Sequence, residues 1–159
     1  MTLMTSPGNT LAAVAAIVAF STLPLLAQGD RVEQKLAFEI DKSLALNGVV
    51  GPVKVPTLKV TNLGRGYSRG GLSLRTVSQP SELSTTLRFT FEVNNPMKEE
   101  WQVEFTVELL DKSGKVIDRF SKKEEYDNEA KALNIEHSLL EYVVPLVSDV
   151  KVTLQGRRT

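Results

Sequence analysis

Gly66-Tyr67-Ser68-Arg69-Gly70 has the Gly-x-Ser-x-Gly spacing of a nucleophile elbow, in which a strained turn lifts a serine hydroxyl toward an acyl substrate. Such a serine needs an imidazole to take its proton and a carboxylate to orient the imidazole. Asp111, Asp118 or Asp127 followed by His137 supplies these groups in the required chain order. The surroundings argue against the chemistry. An elbow lies between a strand and a helix, whereas Leu72 to Val77 after it is strand-like. The chain is also too small for a doubly wound hydrolase sheet, so Gly64 to Gly71 reads as a Gly-rich loop.

Other chemistry is equally thin. His137 is the single histidine, which removes any His-pair metal site and leaves it a structural reading at the end of an alternating strand. Asp111-Lys112-Ser113-Gly114 lacks the spaced acids of a calcium loop. Glu99-Glu100 and Glu124-Glu125 lie in charged stretches that solvation explains, without the aromatic-lined cleft of a glycosidase. Only Tyr67 and Tyr126 offer loop aromatics for a small-ligand or polysaccharide-binding surface. Arg65 to Gly71 superficially resembles an arginine-glycine RNA-binding segment, in a single copy. There is no Walker loop and no dinucleotide fingerprint. The sequence therefore assigns no catalytic, cofactor-binding or metal-ligating residue and implies no cofactor.

The elements around these residues are more informative. No Lys, Arg, Asp or Glu precedes Asp30, and Leu11 to Ala27 is apolar except at Ser21, Thr22 and Pro24. Seventeen residues are short for a membrane span of about 20 and long for a signal core of about 7 to 15. Pro24 ends the helical stretch, and small Ala27 suits the residue before a cleavage point. Residues 1–27 thus read as a signal peptide or, uncleaved, as an N-terminal anchor helix, giving a periplasmic or extracellular chain in the cell envelope, membrane-tethered where the segment is retained. Without cysteine, neither lipid attachment nor a disulfide framework is open to it.

Nineteen basic and nineteen acidic residues balance over the remainder. That argues against nucleic acid, which selects a concentrated basic face, and against a polybasic membrane-surface role. Membrane contact is expected only through residues 11–27.

From Asp30 to Asn47 two periods compete. Asp30 with Glu33 fits a capping box, Val32, Leu36, Ile40 and Leu44 recur at i+4, and Asn47-Gly48 would stop a helix. Leu36, Phe38 and Ile40 instead alternate as in a strand. The helix is the favoured reading, making residues 28–49 a connecting segment ahead of a domain at 50–156. Gly51 to Leu63 is β-branched, and Pro52 with Pro56 predicts an edge strand or an extended segment.

The period-2 signal is firmest in Leu87–Val93 and Trp101–Leu109, where apolar and polar residues alternate around an Asn-Asn-Pro loop. Direct pairing would set Val93 against Trp101, Phe91 against Val103 and Phe89 against Phe105, with Arg88 diagonal to Glu104 and Glu108. Placement in two different sheets is the alternative. Asp111 to Gly114 forms a tight reversal, Lys115 to Ser121 returns, and Lys122 to Lys131 is a solvated loop or exposed strand. Leu133, Ile135 and His137 share one side of a further strand, and Val150, Val152 and Leu154 alternate in a closing one. Strands at this spacing predict an all-β antiparallel β-sandwich.

The run LRFTFEVNNPMKEEWQVEFTVELLDKSGKVIDRF resembles the FxLYD-type immunoglobulin-like modules of exported bacterial proteins, over about residues 86–155. Val107-Glu108-Leu109-Leu110-Asp111 stands at the motif, with leucine at the tyrosine position. The resemblance implies an immunoglobulin-like fold and an envelope location, and it carries no site residue. The expectation is a non-enzymatic exported module with a protein partner or a structural role. The alternatives are a small hydrolase using Ser68 and a small-ligand or polysaccharide binder.

Overall fold

The structure, a computed structural model, describes residues 31–65 and 83–159. The expected N-terminal helix, the Ser68 motif and the Leu72–Val77 strand lie outside the described residues. Eight strands run in chain order: β1 Arg31–Ala37, β2 Ser43–Val50, β3 Val53–Arg65, β4 Ser84–Asn94, β5 Trp101–Leu110, β6 Val116–Tyr126, β7 Ala130–Leu140 and β8 Asp149–Arg158. They form two four-stranded sheets, ordered β1-β8-β5-β6 and β2-β3-β4-β7, with antiparallel neighbours throughout. The single helical turn among the described residues is the 3-10 turn Val144–Leu146, so none is long and apolar enough to cross a membrane.

Alternation decides which side chains meet. Leu87, Phe89, Phe91 and Val93 of β4 and Val103, Phe105, Val107 and Leu109 of β5 are all buried between the sheets. Side chains alternate across a strand, so the polar residues between them face water. β4 and β5 do not pair directly. They lie in opposite sheets, and the Phe91 and Phe105 rings meet through the core with centroids 5.1 Å apart. Arg88 correspondingly bonds Glu136 of β7 at 2.8 Å instead of reaching Glu104 or Glu108. The chain crosses between sheets from β1 to β2, β4 to β5, β6 to β7 and β7 to β8, while β4 pairs with β7 and β5 with β8.

Two further expectations are corrected. Of the segment Asp30 to Asn47, the described part from Arg31 on is not a helix: β1 and β2 occupy it, so among the described residues the sandwich begins at Arg31 and not near residue 50. Val32, Leu36 and Phe38 pack on the core, and Gln34 between them donates to the Ala45 carbonyl of β2 at 3.4 Å. A polar residue at an inward position made the spacing read as i+4. Nor is β3 an edge strand, since it lies between β2 and β4. Pro56 is tolerated there because both neighbours shift register around it, β2 between Ala45 and Gly48 and β4 across Lys54 and Thr57. A bulge removes the need for a ladder N–H at that point.

The registers define two ends. At one lie Arg31, the Val50–Val53 turn, Trp101, Tyr126 and Arg158; at the other lie Ala37, Arg65, Leu83, the Asp111–Lys115 turn and Leu140 to Asp149. On the near end close packing is met by glycine. A Cβ on Gly156 would stand 2.4 Å from Val50 Cγ1, and Gly51 at φ +54 lies against the Trp101 ring.

Candidate functional site

The side of the sandwich between edge strands β6 and β7 holds most of the chemistry-bearing residues. Asp118, Phe120, Lys122, Glu124 and Tyr126 stand opposite Leu109, Val107, Phe105, Val103 and Trp101 of β5, which puts them on the face that looks toward the other sheet. Charges directed inward at a sheet edge oppose the addition of another strand. They need partners, and β7 supplies them. His137 Nε2 lies 2.8 Å from Asp118 Oδ2, and its ring stacks on Phe120 at 4.3 Å, which itself meets Phe89 at 4.9 Å. Lower down, Lys131 Nζ is 3.6 Å from Glu124 and 2.9 Å from Glu129, and sits 4.9 Å above the Tyr126 ring centre. These carboxylates hold the Lys131 ammonium above its usual range, Glu129 most strongly. An open, polar cleft of about 480 Å³ runs along this side past Lys122, Glu124, Lys131, Asn134 and Glu136.

Of the triad elements, Asp118 and His137 are brought together. Asp111 and Asp127 are not. Asp111 Oδ1 accepts from the Ser113 hydroxyl at 2.6 Å and from the Ser113 and Lys115 N–H groups, which keeps its carboxyl below the usual range and locks the β5–β6 turn. Gly114 takes φ +82 there, as the turn requires. Among the described residues no hydroxyl is hydrogen-bonded to His137. The pair can therefore orient an imidazole and tie two sheets together, and has no nucleophile of its own within that set. Nor do the described residues contain a group of three metal-ligating side chains.

Of the two acidic doublets, Glu99 pairs with Arg158 at 3.2 Å and Glu125 accepts from Gln102 at 3.1 Å. The Asn94–Glu100 loop is tied down by buried Asn95. Its amide donates to the Glu99 and Tyr126 carbonyls, both at 2.9 Å, and accepts from the Met97 N–H at 3.1 Å. Tyr126 is not a loop aromatic but is fully buried at the end of β6, its ring 6.3 Å from Phe105. Its hydroxyl has no protein partner, and burial pushes the phenol well above its ordinary range.

Sequence reasoning missed a cluster at the far end. Leu83, Leu140, Tyr142 and Leu146 are all exposed, Tyr142 most of all at 63%. The Glu141 N–H donates to the Leu83 carbonyl at 2.7 Å, which places all of them at this end of the sandwich. Arg65, the one described residue of the Arg65–Gly71 motif, clasps both Glu141 carboxylate oxygens through Nε and Nη2, with Nε 2.8 Å from Oε1. The bond raises the guanidinium and lowers the carboxylate relative to their usual ranges. The available signal was the density of apolar residues from Leu139 to Leu146, which exceeds what one buried face needs.

No protein-family model matches the chain, and no curated protein is significantly similar to it. Among solved structures it is similar to the enzymatically active domain of tailspike protein 4 from bacteriophage CBA120, at 13% identity and a TM-score of 0.28. That alignment covers 82% of this chain and 17% of the tailspike chain.

Proposed function

We propose that the chain is an exported, non-enzymatic module that binds a protein partner or supports an envelope assembly, with residues 1–27 as its signal peptide or anchor. The observation that carries this reading is the exposed Leu83, Leu140, Tyr142 and Leu146 cluster at the end of the sandwich opposite Arg31. Large exposed apolar side chains gathered at one end of a sandwich support an interaction site there. A chain tethered ahead of Arg31 would hold that cluster away from the membrane. We further propose that the sandwich is of the immunoglobulin-like, FxLYD type. The crossing of β4 to β5 and β7 to β8, interlocked by the β4–β7 and β5–β8 pairings, supports that assignment over the span of the resemblance.

The test is recovery of the tagged full chain from its native envelope, with identification of whatever co-purifies in stoichiometric amount. A double Leu83→Ser, Tyr142→Ser variant should melt like the parent and lose the partner. A folded variant that keeps it would overturn this placement of the binding surface.

One observation favours a second reading, a small hydrolase. His137 and Asp118 are in contact at 2.8 Å, and Ser68 precedes both in the chain. An esterase activity abolished by both Ser68→Ala and His137→Ala would establish it and displace the first.

A further inference from the structure

Among the described residues four strands have a free edge: β1, β2, β6 and β7. A free edge is a template for strand addition unless it is short, bulged or charged. β1 has only seven residues. β2 is broken by the bulge between Ala45 and Gly48, with Asn47 at φ +47. β6 carries Lys122-Lys123 and the inward Asp118, Lys122 and Glu124. β7 is the least defended of the four, with one inward lysine near its start. Its eleven residues pair with β4 from Ala130 to Leu140 without a register shift, and contain no proline, no glycine and a single lysine, which is turned onto Tyr126.

The groups that β7 leaves free can be identified. The Asn95 N–H bonds the Glu129 carbonyl at 2.8 Å, and the Glu141 N–H bonds the Leu83 carbonyl at 2.7 Å, in the same register as the β4–β7 ladder. Hydrogen-bonded pairs alternate along an antiparallel ladder. The odd-numbered residues of β7 therefore bond toward β4. Ala132, Asn134, Glu136 and Ser138 direct their N–H and C=O groups outward, where the open cleft gives access.

We propose that this edge pairs with the β7 edge of a second copy of the chain, antiparallel, about a two-fold axis at Ile135. This register uses the whole strand and keeps faces and hydrogen-bonding phase in agreement. Ala132 then exchanges backbone bonds with Ser138 of the second copy, and Asn134 with its Glu136. The charges are self-complementary: Lys131 falls opposite Leu139 and Glu136 opposite Asn134, so no like charges are directly opposed. Each Glu136 also keeps its own Arg88 at 2.8 Å. On the inner face Ile135 meets Ile135, and Leu133 meets His137. The two four-stranded sheets become one continuous eight-stranded sheet. An isologous contact of this kind closes on itself, which limits the assembly to a dimer at that edge. The inference stands on the fold alone, and failure to find a different protein partner would leave it untouched.

The chain lacks cysteine, so introduced thiols report cleanly. In the Ala132→Cys, Ser138→Cys variant each thiol faces its counterpart across the axis, within the roughly 4.4–6.8 Å Cα range of a disulfide. Within one chain the two positions are six residues apart along a strand, about 20 Å, and cannot close on each other. Mild oxidation of the full chain should give a covalent dimer from the double variant and not from either single one. Sedimentation should show a dimer for the parent at tens of micromolar, and a monomer for Ala132→Pro. If that proline variant unfolds, Ala132→Lys with Ser138→Lys opposes like charges at the same pairs and should also give a folded monomer. A monomeric parent overturns the proposal, as does equal cross-linking by the single variants or a dimer that survives the folded edge variants through residues 1–30.

Discussion

His137 Nε2 stands 2.8 Å from Asp118 Oδ2, and this contact joins the outermost strand of one sheet to the outermost strand of the other. The imidazole lies flat on Phe120, so the same residue closes the apolar core and bonds a carboxylate at its rim. Both side chains are partly exposed, at 25% and 33%. A double-mutant cycle with His137→Ala and Asp118→Ala, read by chemical denaturation, should give a coupling of about 1 kcal/mol. A coupling near zero would mean that the pair contributes nothing beyond ring packing.

Asn95 carries the largest polar effect to be expected. It is 1% exposed and satisfies two carbonyls and one N–H within the Asn94–Glu100 loop and the end of β6. Asn95→Ala leaves these groups buried or half-buried without their partner, at about 2–4 kcal/mol. Amide exchange should accelerate at Met97 and Asn128, whose N–H groups depend on this loop. Unchanged exchange at both would show that the loop is held by other means.

Tyr126 gives stability a pH dependence on the alkaline side. Burial raises its phenol above the ordinary value of 10.0. The folded state therefore binds that proton more tightly than the unfolded state. The contribution is complete below about pH 10 and is lost as pH rises beyond it. Tyr126→Phe removes this loss and an unpartnered buried hydroxyl, so it should be neutral or stabilising by up to about 1 kcal/mol at pH 7. Melting curves at pH 7 and pH 11 for both proteins measure it, and a phenylalanine variant with an unchanged alkaline slope would assign that slope elsewhere.

Gly51 should tolerate no side chain. Its φ of +54 disfavours any L-residue, and a Cβ would meet three atoms of the Trp101 ring within 2.8 Å. Gly51→Ala should cost about 2 kcal/mol or more, with a change in Trp101 fluorescence as the ring is displaced. Gly64→Ala is the control, because a Cβ there meets nothing within 4 Å and only the backbone cost at φ +83 remains, about 1 kcal/mol.

The sequence disclosed the strands whose two faces have unlike surroundings. β4, β5 and β8 alternate because one face is buried and the other wet, and each stands clearly in the residues. Legibility fails at the edges. Gln34 on the inward side of β1 and Asp118, Lys122 and Glu124 on the inward side of β6 break the alternation, because the core thins there and polar groups can reach a partner or water. Pro56 misled for a related reason. Proline reports a missing ladder bond, and a bulge inside a sheet satisfies that as well as an outer edge does. Pairing was the other gap. Phe89, Phe91 and Phe105 must share a core, yet whether they meet along one sheet or between two depends on crossings that no local pattern encodes. His137 and Asp118 were named as candidates by residue type and order alone; their contact needed the fold.

The antiparallel pairing of β1 with β8 sets how the module would respond to pulling. Arg31 lies opposite Gln155, so residues 31 and 159 emerge at the same end of adjacent strands. Tension between a tether ahead of Arg31 and a load held beyond Thr159 would act across the ladder, not along it. The bonds from Arg31–Gln155 to Ala37–Asp149 would then rupture one after another, as a zipper does, and not together in shear. Such a joint yields at low force and peels the seven-residue β1 first, while β4, β5 and the core between them stay intact.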